Sequence, residues 1–146
     1  MKLSKHFSLE ELTQSDTAVR LGIDNTPSEE VIENLKFLSE KLEDVRILLR
    51  NPMLVSSGYR SLALNAHLGS RNTSSHVKGL AVDFISPSFG TPETVVKTIV
   101  ESDIQYDQVI LEFNRWVHLS FTKEKPRLQA LIIDKKGTRR FENTIS

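Results

Sequence analysis

The sequence predicts an α+β domain in which helices pack on a small, mainly antiparallel sheet. Two observations predict this fold class. Two segments carry a helix cap followed by helical apolar spacing, and five shorter apolar runs of β type are separated by turn residues. A chain of 146 residues, 38% of them hydrophobic, has the size of one domain with one core. We therefore expect residues 1–146 to form a single domain.

The longest predicted helix covers residues 26–50. Thr26 is the expected N-cap, Pro27 stands at the first helical position, and Glu29 completes a capping box. Apolar residues then recur at alternating spacings of four and three, which predicts one buried stripe. The residues of this stripe are Val31, Leu35, Leu38, Leu42, Val45 and Leu49. We expect this helix to be the main packing helix of the domain.

Three shorter helices are predicted. One turn of helix follows Ser8, and a short helix over 61–69 ends at Gly69. Another helix begins after Thr91 as the cap, with Pro92 at its first position.

The predicted strands are short apolar runs. The third and fourth runs along the chain form a hairpin that turns near Asn114 and Arg115. A further run close to the C-terminus adds one more strand, followed by a frayed end. The five runs cover residues 53–57, 80–85, 106–113, 115–121 and 129–134.

Composition excludes several classes of function. Nineteen basic residues offset nineteen acidic ones, so no overall field attracts nucleic acid or an anionic membrane surface. No glycine-rich phosphate loop follows a strand, which argues against nucleotide binding. Because the chain has no cysteine, metal ligands must be His, Asp or Glu. The N-terminus lacks the apolar core of a signal peptide, and no stretch approaches a membrane span. We expect a monomer that is made as a soluble cytoplasmic protein and carried to any external substrate by another system.

Three polar residues stand out as candidate metal ligands. Asp83 lies inside the apolar strand 80–85, where an ionised carboxylate needs a partner, and a metal cation is a suitable one. His118 likewise lies inside an apolar strand, and His76 precedes Gly79 in a loop that can turn it toward both strands. The alternative is that His118 is a hydrogen-bonded core histidine and Asp83 a capping or ion-paired residue.

The motifs around these residues resemble a known family. The pattern includes SSGYRS, then S..H..G.A.D from Ser74 to Asp83, then a glutamate upstream of W.H. It resembles the zinc peptidases of the D-alanyl-D-alanine carboxypeptidase family M15. The opening FSLEELTQSDTAVRLGIDNTP is similar to the short phage and prophage members, so the resemblance extends across nearly the whole chain.

The resemblance implies that His76, Asp83 and His118 bind one zinc ion and that the fold is the one shared with hedgehog signalling domains. It also implies that the substrate is the stem peptide of peptidoglycan and that the protein acts on the bacterial cell wall, as a phage-encoded lysin or a wall-remodelling enzyme. A zinc ion held by three protein ligands keeps one position open for chemistry.

The general base departs from the common pattern. Many members of the broader family place a glutamate three residues before the last histidine, but Arg115 stands there and cannot accept a proton at neutral pH. Hedgehog-type relatives carry a glutamate six residues before it, which here is Glu112. We expect Glu112 to be the base, on a strand beside that of His118 and a short diagonal away. The alternative is an exposed carboxylate paired with Arg115 or a lysine.

Further residues have predicted roles at the substrate. Arg60 resembles the family arginine that faces substrate, where its planar fork binds a carboxylate or steadies an oxyanion; the alternative is a surface arginine. Ser74 orients His76, contacts substrate, or caps its own loop. Trp116 lines the cleft or fills the core. We assign no mechanism to Arg127. His6 and His67 fit no motif and are expected at the surface.

Three hypotheses of function remain open at this stage. The first is a zinc-dependent carboxypeptidase or endopeptidase of peptidoglycan. The second is a non-catalytic zinc domain that binds peptidoglycan or a protein partner. The third, a structural component of a capsid or tail, rests only on the phage-like opening.

Overall fold

The computed structural model describes residues 1–142 and has six helices and six strands within that range. The helices are α1 (Leu9–Thr13), α2 (Asp16–Leu21), α3 (Glu29–Leu49), α4 (Leu62–His67), α5 (Ser75–Lys78) and α6 (Pro92–Val100). The strands are β1 (Leu54–Ser57), β2 (Ala81–Ile85), β3 (Gln108–Glu112), β4 (Trp116–Ser120), β5 (Gln129–Asp134) and β6 (Gly137–Arg140). The predicted α+β class is confirmed.

The strands form one mixed sheet in the order β1-β2-β4-β3-β5-β6. The pairs β3–β4 and β5–β6 are antiparallel, whereas β3 and β5 run parallel. The sequence predicted one strand and a frayed end after residue 129, and this was wrong by one strand. Gly137, at a φ of 105°, provides the reversal that pairs β6 with β5.

Over residues 1–142 the chain packs as two compact units. The first is Met1–Glu43 with Val55–Val82, and the second is Asp44–Leu54 with the described residues from Asp83 onward. The first unit contains α1, α2, α4 and α5 together with most of α3. The predicted stripe of α3 is confirmed, because Leu35, Leu38 and Leu42 are fully buried. The later stripe residues Val45 and Leu49, in the second unit, are buried as well.

The start of α3 differs from the prediction. Ser28, not Thr26, caps the helix, since its Oγ accepts the backbone N–H of Val31 at 3.2 Å. The backbone N–H of Thr26 instead donates to Asp24 Oδ1 at 2.9 Å, so a local turn holds Thr26 outside the helix.

Helix α2 was not predicted. Ser15 Oγ accepts the backbone N–H of Ala18 at 3.1 Å, and Gly22 ends the helix at a φ of 67°. A cap serine and a terminal glycine seven residues apart were therefore the available signal.

The N-terminal segment is fastened to α3 through Glu43. The Glu43 carboxylate accepts hydrogen bonds from Ser4 Oγ at 2.5 Å and from the backbone N–H of His6 at 2.7 Å. It also lies 2.6 Å from the Nδ1 of His6. Burial raises the pKa of Glu43, but the bonds from Ser4 and His6 outweigh it and hold the pKa below its ordinary value.

In the second unit, α6 lies against β3 and β4. Thr91 caps this helix through its bond from the Thr94 N–H, and Pro92 occupies the first position, as predicted. The helix buries Val95, Val96 and Ile99. The strands bury Val109, Leu111, Val117 and Leu119, which share one face of the β3–β4 hairpin by their register.

Arg127, for which sequence analysis assigns no mechanism, stabilises the start of β5. Its Nε and Nη2 donate to the two carboxylate oxygens of Asp107 at 3.1 and 2.7 Å, and its backbone N–H also donates to Oδ1. Asp107 is buried, and its backbone bonds to Ser120 and Gln129 join the beginning of β3 to β4 and β5. The carboxylate raises the pKa of Arg127, as expected for a bidentate ion pair.

Candidate metal centre and active site

Helix α5 is a single turn that carries His76. Ser74 caps it, with its Oγ accepting the backbone N–H of His76 at 3.2 Å. The turn ends at Gly79, whose φ is 75°. A Cβ at this position would lie 3.0 Å from Val31 Cγ1 and 3.2 Å from Leu35 Cγ, so the conformation and the packing both favour glycine. His76 is thus held at a fixed, buried position.

The imidazole of His76 is oriented by the segment that precedes α4. Its Nδ1 donates to the carbonyl oxygen of Gly58 at 2.7 Å, and its own carbonyl accepts the backbone N–H of Arg60 at 3.0 Å. Because a carbonyl can only accept, Nδ1 carries the proton and Nε2 carries the lone pair that a metal requires. Sequence reasoning missed Gly58, whose part in the site comes from its backbone.

Gly58 also allows a close approach between backbones. A Cβ at residue 58 would lie 2.3 Å from the carbonyl oxygen of Leu12, which accepts the N–H of Tyr59 at 2.7 Å. Any side chain must therefore displace the 57–60 segment from α1, and with it the acceptor of the His76 proton.

Gly58→Ala is expected to destabilise the fold by about 1–3 kcal/mol and to weaken zinc binding by about 10- to 100-fold, the usual effect of disturbing an outer-shell partner. Denaturant unfolding and competition with a zinc indicator measure the two effects. The matched control is Gly90→Ala, where the nearest atom to the added Cβ is 3.5 Å away, an ordinary contact. If Gly58→Ala behaves like this control in both assays, the Gly58 carbonyl does not position His76.

Asp83 on β2 and His118 on β4 form a second buried pair. His118 Nδ1 lies 3.1 Å from Asp83 Oδ1, and the two residues are 9% and 6% exposed. Two ligands on a tetrahedral zinc ion with bonds near 2.0–2.1 Å stand about 3.3 Å apart. The spacing therefore suits two ligands of one metal as well as a histidine–carboxylate hydrogen bond.

The position of His76 favours the interpretation that Asp83 and His118 are ligands of one metal ion. Ligand atoms of His76, Asp83 and His118 all lie within 4.8 Å of one another. Two imidazoles and one carboxylate, with no thiolate, are a donor set of catalytic zinc sites, which retain an open position. The residues present therefore fit a zinc ion.

Glu112 lies on the same hairpin as His118. In the β3–β4 register, Glu112 pairs with Trp116 and Ile110 with His118, so Glu112 is the diagonal neighbour of His118 on the same face. The turn consists of residues 113–115 and so includes the predicted Asn114 and Arg115; Phe113 and Asn114 both have positive φ angles. The diagonal relation predicted from the sequence holds.

The alternative pairing of Glu112 with Arg115 is not found. The Arg115 N–H donates to the Glu112 carbonyl at 2.9 Å and closes the turn. The guanidinium, however, makes no ion pair with any residue of the described range 1–142.

The guanidinium of Arg60 is held by polar contacts with residues of its own unit. Its Nε donates to Ser57 Oγ at 3.0 Å, and its Nη1 lies 3.5 Å from Asn65 Oδ1. Asn65 is 1% exposed and donates to the carbonyl of Arg71 at 2.7 Å. Sequence reasoning missed Asn65; the available signal was a polar residue beside the apolar Leu64 in a short helix.

Trp116 is half-buried. Its ring lies 5.9 Å from that of Phe113 at an angle of 41°. The indole Nε1 is buried and has no hydrogen-bond partner among residues 1–142. Trp116 also lines a cavity, so it is not a simple core residue.

A buried set of two histidines and one aspartate on an α+β scaffold defines a candidate catalytic metal centre. The family model described as Peptidase M15 matches residues 5–120, and the chain belongs to this family of metallopeptidases. The match includes the three candidate ligands as well as Arg60 and Glu112, and it stops before β5. The resemblance read from the motifs is confirmed.

A search of curated proteins finds no match. Within residues 1–142, none of the helices has the length and apolar character needed to cross a membrane.

Proposed function

We propose that residues 1–146 form a single zinc peptidase domain that hydrolyses peptide bonds of peptidoglycan. One zinc ion is held by His76, Asp83 and His118. The observation that carries this proposal is the grouping of their ligand atoms within 4.8 Å in a member of peptidase family M15. When bound, zinc supplies a Lewis acid for the scissile carbonyl and lowers the pKa of a water toward 7.

Glu112 is the proposed general base. Its carboxylate accepts a proton from the attacking water and returns it to the nitrogen of the leaving amine. Its diagonal position beside His118 and its half-buried state support this role. Arg115 fills the position three residues before His118, and an arginine side chain offers no competing base.

Arg60 is the proposed substrate-binding cation. A guanidinium held by Ser57 and Asn65 keeps its planar fork in one orientation, which suits a carboxylate or a developing oxyanion. The carboxyl terminus of a stem peptide is such a carboxylate. Ser74 and Trp116 are proposed as further substrate contacts, besides the part of Ser74 in capping the turn of His76.

The proposed place of action is the bacterial cell wall, with the protein working as a monomeric lysin or wall-remodelling enzyme. Membership of the peptidase family supports a wall substrate. The similarity of residues 7–27 to short phage and prophage members supports a phage-encoded lysin.

A non-catalytic zinc domain that binds peptidoglycan is the second candidate. The observation that favours it is the arginine at position 115, where many members of the broader family carry their glutamate. Under this hypothesis the three ligands hold zinc, but Glu112 transfers no proton.

Digestion of purified peptidoglycan, followed by mass spectrometry of the muropeptides, separates these candidates. A peptidase releases products that a chelator suppresses: loss of one alanine identifies a carboxypeptidase, and separated cross-links identify an endopeptidase. A zinc-loaded protein that binds peptidoglycan and releases nothing would favour the binding domain. Hydrolysis that is insensitive to the chelator would contradict the zinc mechanism.

A further inference from the structure

A cavity of about 710 Å³ lies in the second unit and contains none of the candidate zinc ligands. It is formed by the turn of the β3–β4 hairpin, the turn of the β5–β6 hairpin and the start of α6. Its volume lies within the range of about 300–1,000 Å³ that is typical of small-molecule sites. The cavity therefore has the capacity for a ligand of its own.

One wall of the cavity is apolar and partly aromatic. It includes Leu111, Ile132 and the tilted pair of Phe113 and Trp116. Phe113 is 45% exposed and has a φ of 53°, a conformation that is costly for a bulky side chain in a turn. Asparagine or glycine would adopt this backbone more easily. An exposed aromatic ring at such a position offers a contact surface.

The rim of the cavity is cationic. Arg115, Lys135 and Lys136 line it, and none of their side chains has a hydrogen bond or an ion pair within residues 1–142. Glu93 is the unpaired carboxylate of the lining in the same range. The other charged residues of the cavity, Asp134 and Arg139, neutralise each other.

The pair of Asp134 and Arg139 is bidentate, with distances of 2.8 and 2.7 Å. Hydrogen bonds from Arg139 and from the backbone N–H of Lys136, which donates at 2.9 Å, together with the positive charges of both side chains, lower the pKa of Asp134 to about 2. Asp134 is therefore ionised at neutral pH. The charged residues of the lining are four cations and two carboxylates, and this excess of positive charge favours an anionic ligand.

We propose that this cavity binds an acidic amino sugar of the wall glycan at a position that carries no stem peptide, so that the carboxylate of the sugar is free. A sugar ring presents C–H faces that stack on aromatic rings, and its carboxylate pairs with lysine and arginine. An acidic amino sugar offers both groups in a ligand that suits the volume. The choice of a wall glycan depends on the proposed function, whereas the preference for a ring with a negative charge depends only on the cavity.

Such a site has a specific consequence for the enzyme. A sugar that carries a stem peptide has used its carboxyl group in the amide bond to that peptide. The cavity therefore holds the strand at a sugar whose carboxylate is free, while a stem peptide elsewhere on the strand is hydrolysed. Cleavage of peptidoglycan in which some acidic sugars lack a stem peptide then depends on the cavity, whereas cleavage of a free peptide does not.

The test uses the fluorescence of Trp116, the single tryptophan of the chain. The full chain is titrated with the peptide-free disaccharide of N-acetylglucosamine and N-acetylmuramic acid. The matched neutral probe is the disaccharide of two N-acetylglucosamine units. We expect the acidic disaccharide to bind at least about tenfold more tightly than the neutral one, with or without zinc. Equal affinity for the two disaccharides would overturn the proposal. So would binding that is lost when zinc is removed, or binding of an oligonucleotide in preference to both disaccharides.

Two variants locate the binding site. Lys135→Gln combined with Lys136→Gln should weaken binding of the acidic disaccharide about tenfold, whereas Lys97→Gln, an exposed lysine of α6 outside the cavity, should leave it unchanged. Equal losses in the two proteins, or no loss in either, would place the sugar elsewhere. Because neither probe has a peptide bond, these results stand even if the chain hydrolyses no peptide.

Discussion

Replacement of Glu112 by glutamine is expected to lower the rate of peptidoglycan hydrolysis by about 10²- to 10⁴-fold, the usual contribution of a positioned general base. Glutamine keeps the shape and hydrogen-bonding reach of glutamate but cannot take a proton from water. Glu112 is not among the three candidate ligands, so the zinc content should remain at the level of the unmodified protein. Release of muropeptides and metal analysis of the same preparation measure the two quantities.

The matched control for this variant is Glu124→Gln, which removes the charge of an exposed carboxylate in the segment that follows β4. It should change neither rate nor zinc content. Hydrolysis by Glu112→Gln at the unmodified rate would show that the base lies elsewhere. Loss of zinc together with activity would make Glu112 part of the metal site instead.

Asp83→Asn is expected to weaken zinc binding more than about 100-fold, beyond the effect of disturbing an outer-shell partner. The change keeps the size of the side chain but replaces an anionic ligand by a neutral amide, a weak ligand for zinc. Hydrolysis with one equivalent of zinc should become undetectable. Competition with a fluorescent zinc indicator gives the affinity, and the muropeptide assay gives the rate.

The control for the aspartate variant is Asp103→Asn, an exposed position after α6. Circular dichroism shows whether each protein folds, so that loss of zinc can be separated from loss of structure. Retention of one tightly bound zinc ion by folded Asp83→Asn would exclude Asp83 as a ligand. His76 and His118 would then need a different third partner.

Two of the three candidate ligands could be picked out from the sequence because each one interrupts a regular pattern. Asp83 and His118 are polar residues within apolar strands, and alternation along a strand determines which face each occupies. The position of Glu112 beside His118 followed from one further inference, that two short strands with a turn former between them make a hairpin. The register of β3 and β4 confirms that relation.

The supporting contacts could not be predicted in this way, because they join residues that are distant in the sequence. The Gly58 carbonyl meets His76 across 18 residues, and Asp107 meets Arg127 across 20. Neither contact leaves a local pattern. The cap of α3 was misplaced for a different reason, since Thr26 and Ser28 are both good caps and only the turn at Asp24 decides between them.

Titration of the metal-free protein with zinc, with hydrolysis of purified peptidoglycan as the readout, tests the central claim most directly. A single site formed by His76, Asp83 and His118 predicts no hydrolysis without metal, a rise in proportion to added zinc, and a plateau at one equivalent per chain. Hydrolysis by the metal-free protein, or a protein that binds one equivalent of zinc and remains inactive, would contradict a zinc peptidase built on these residues.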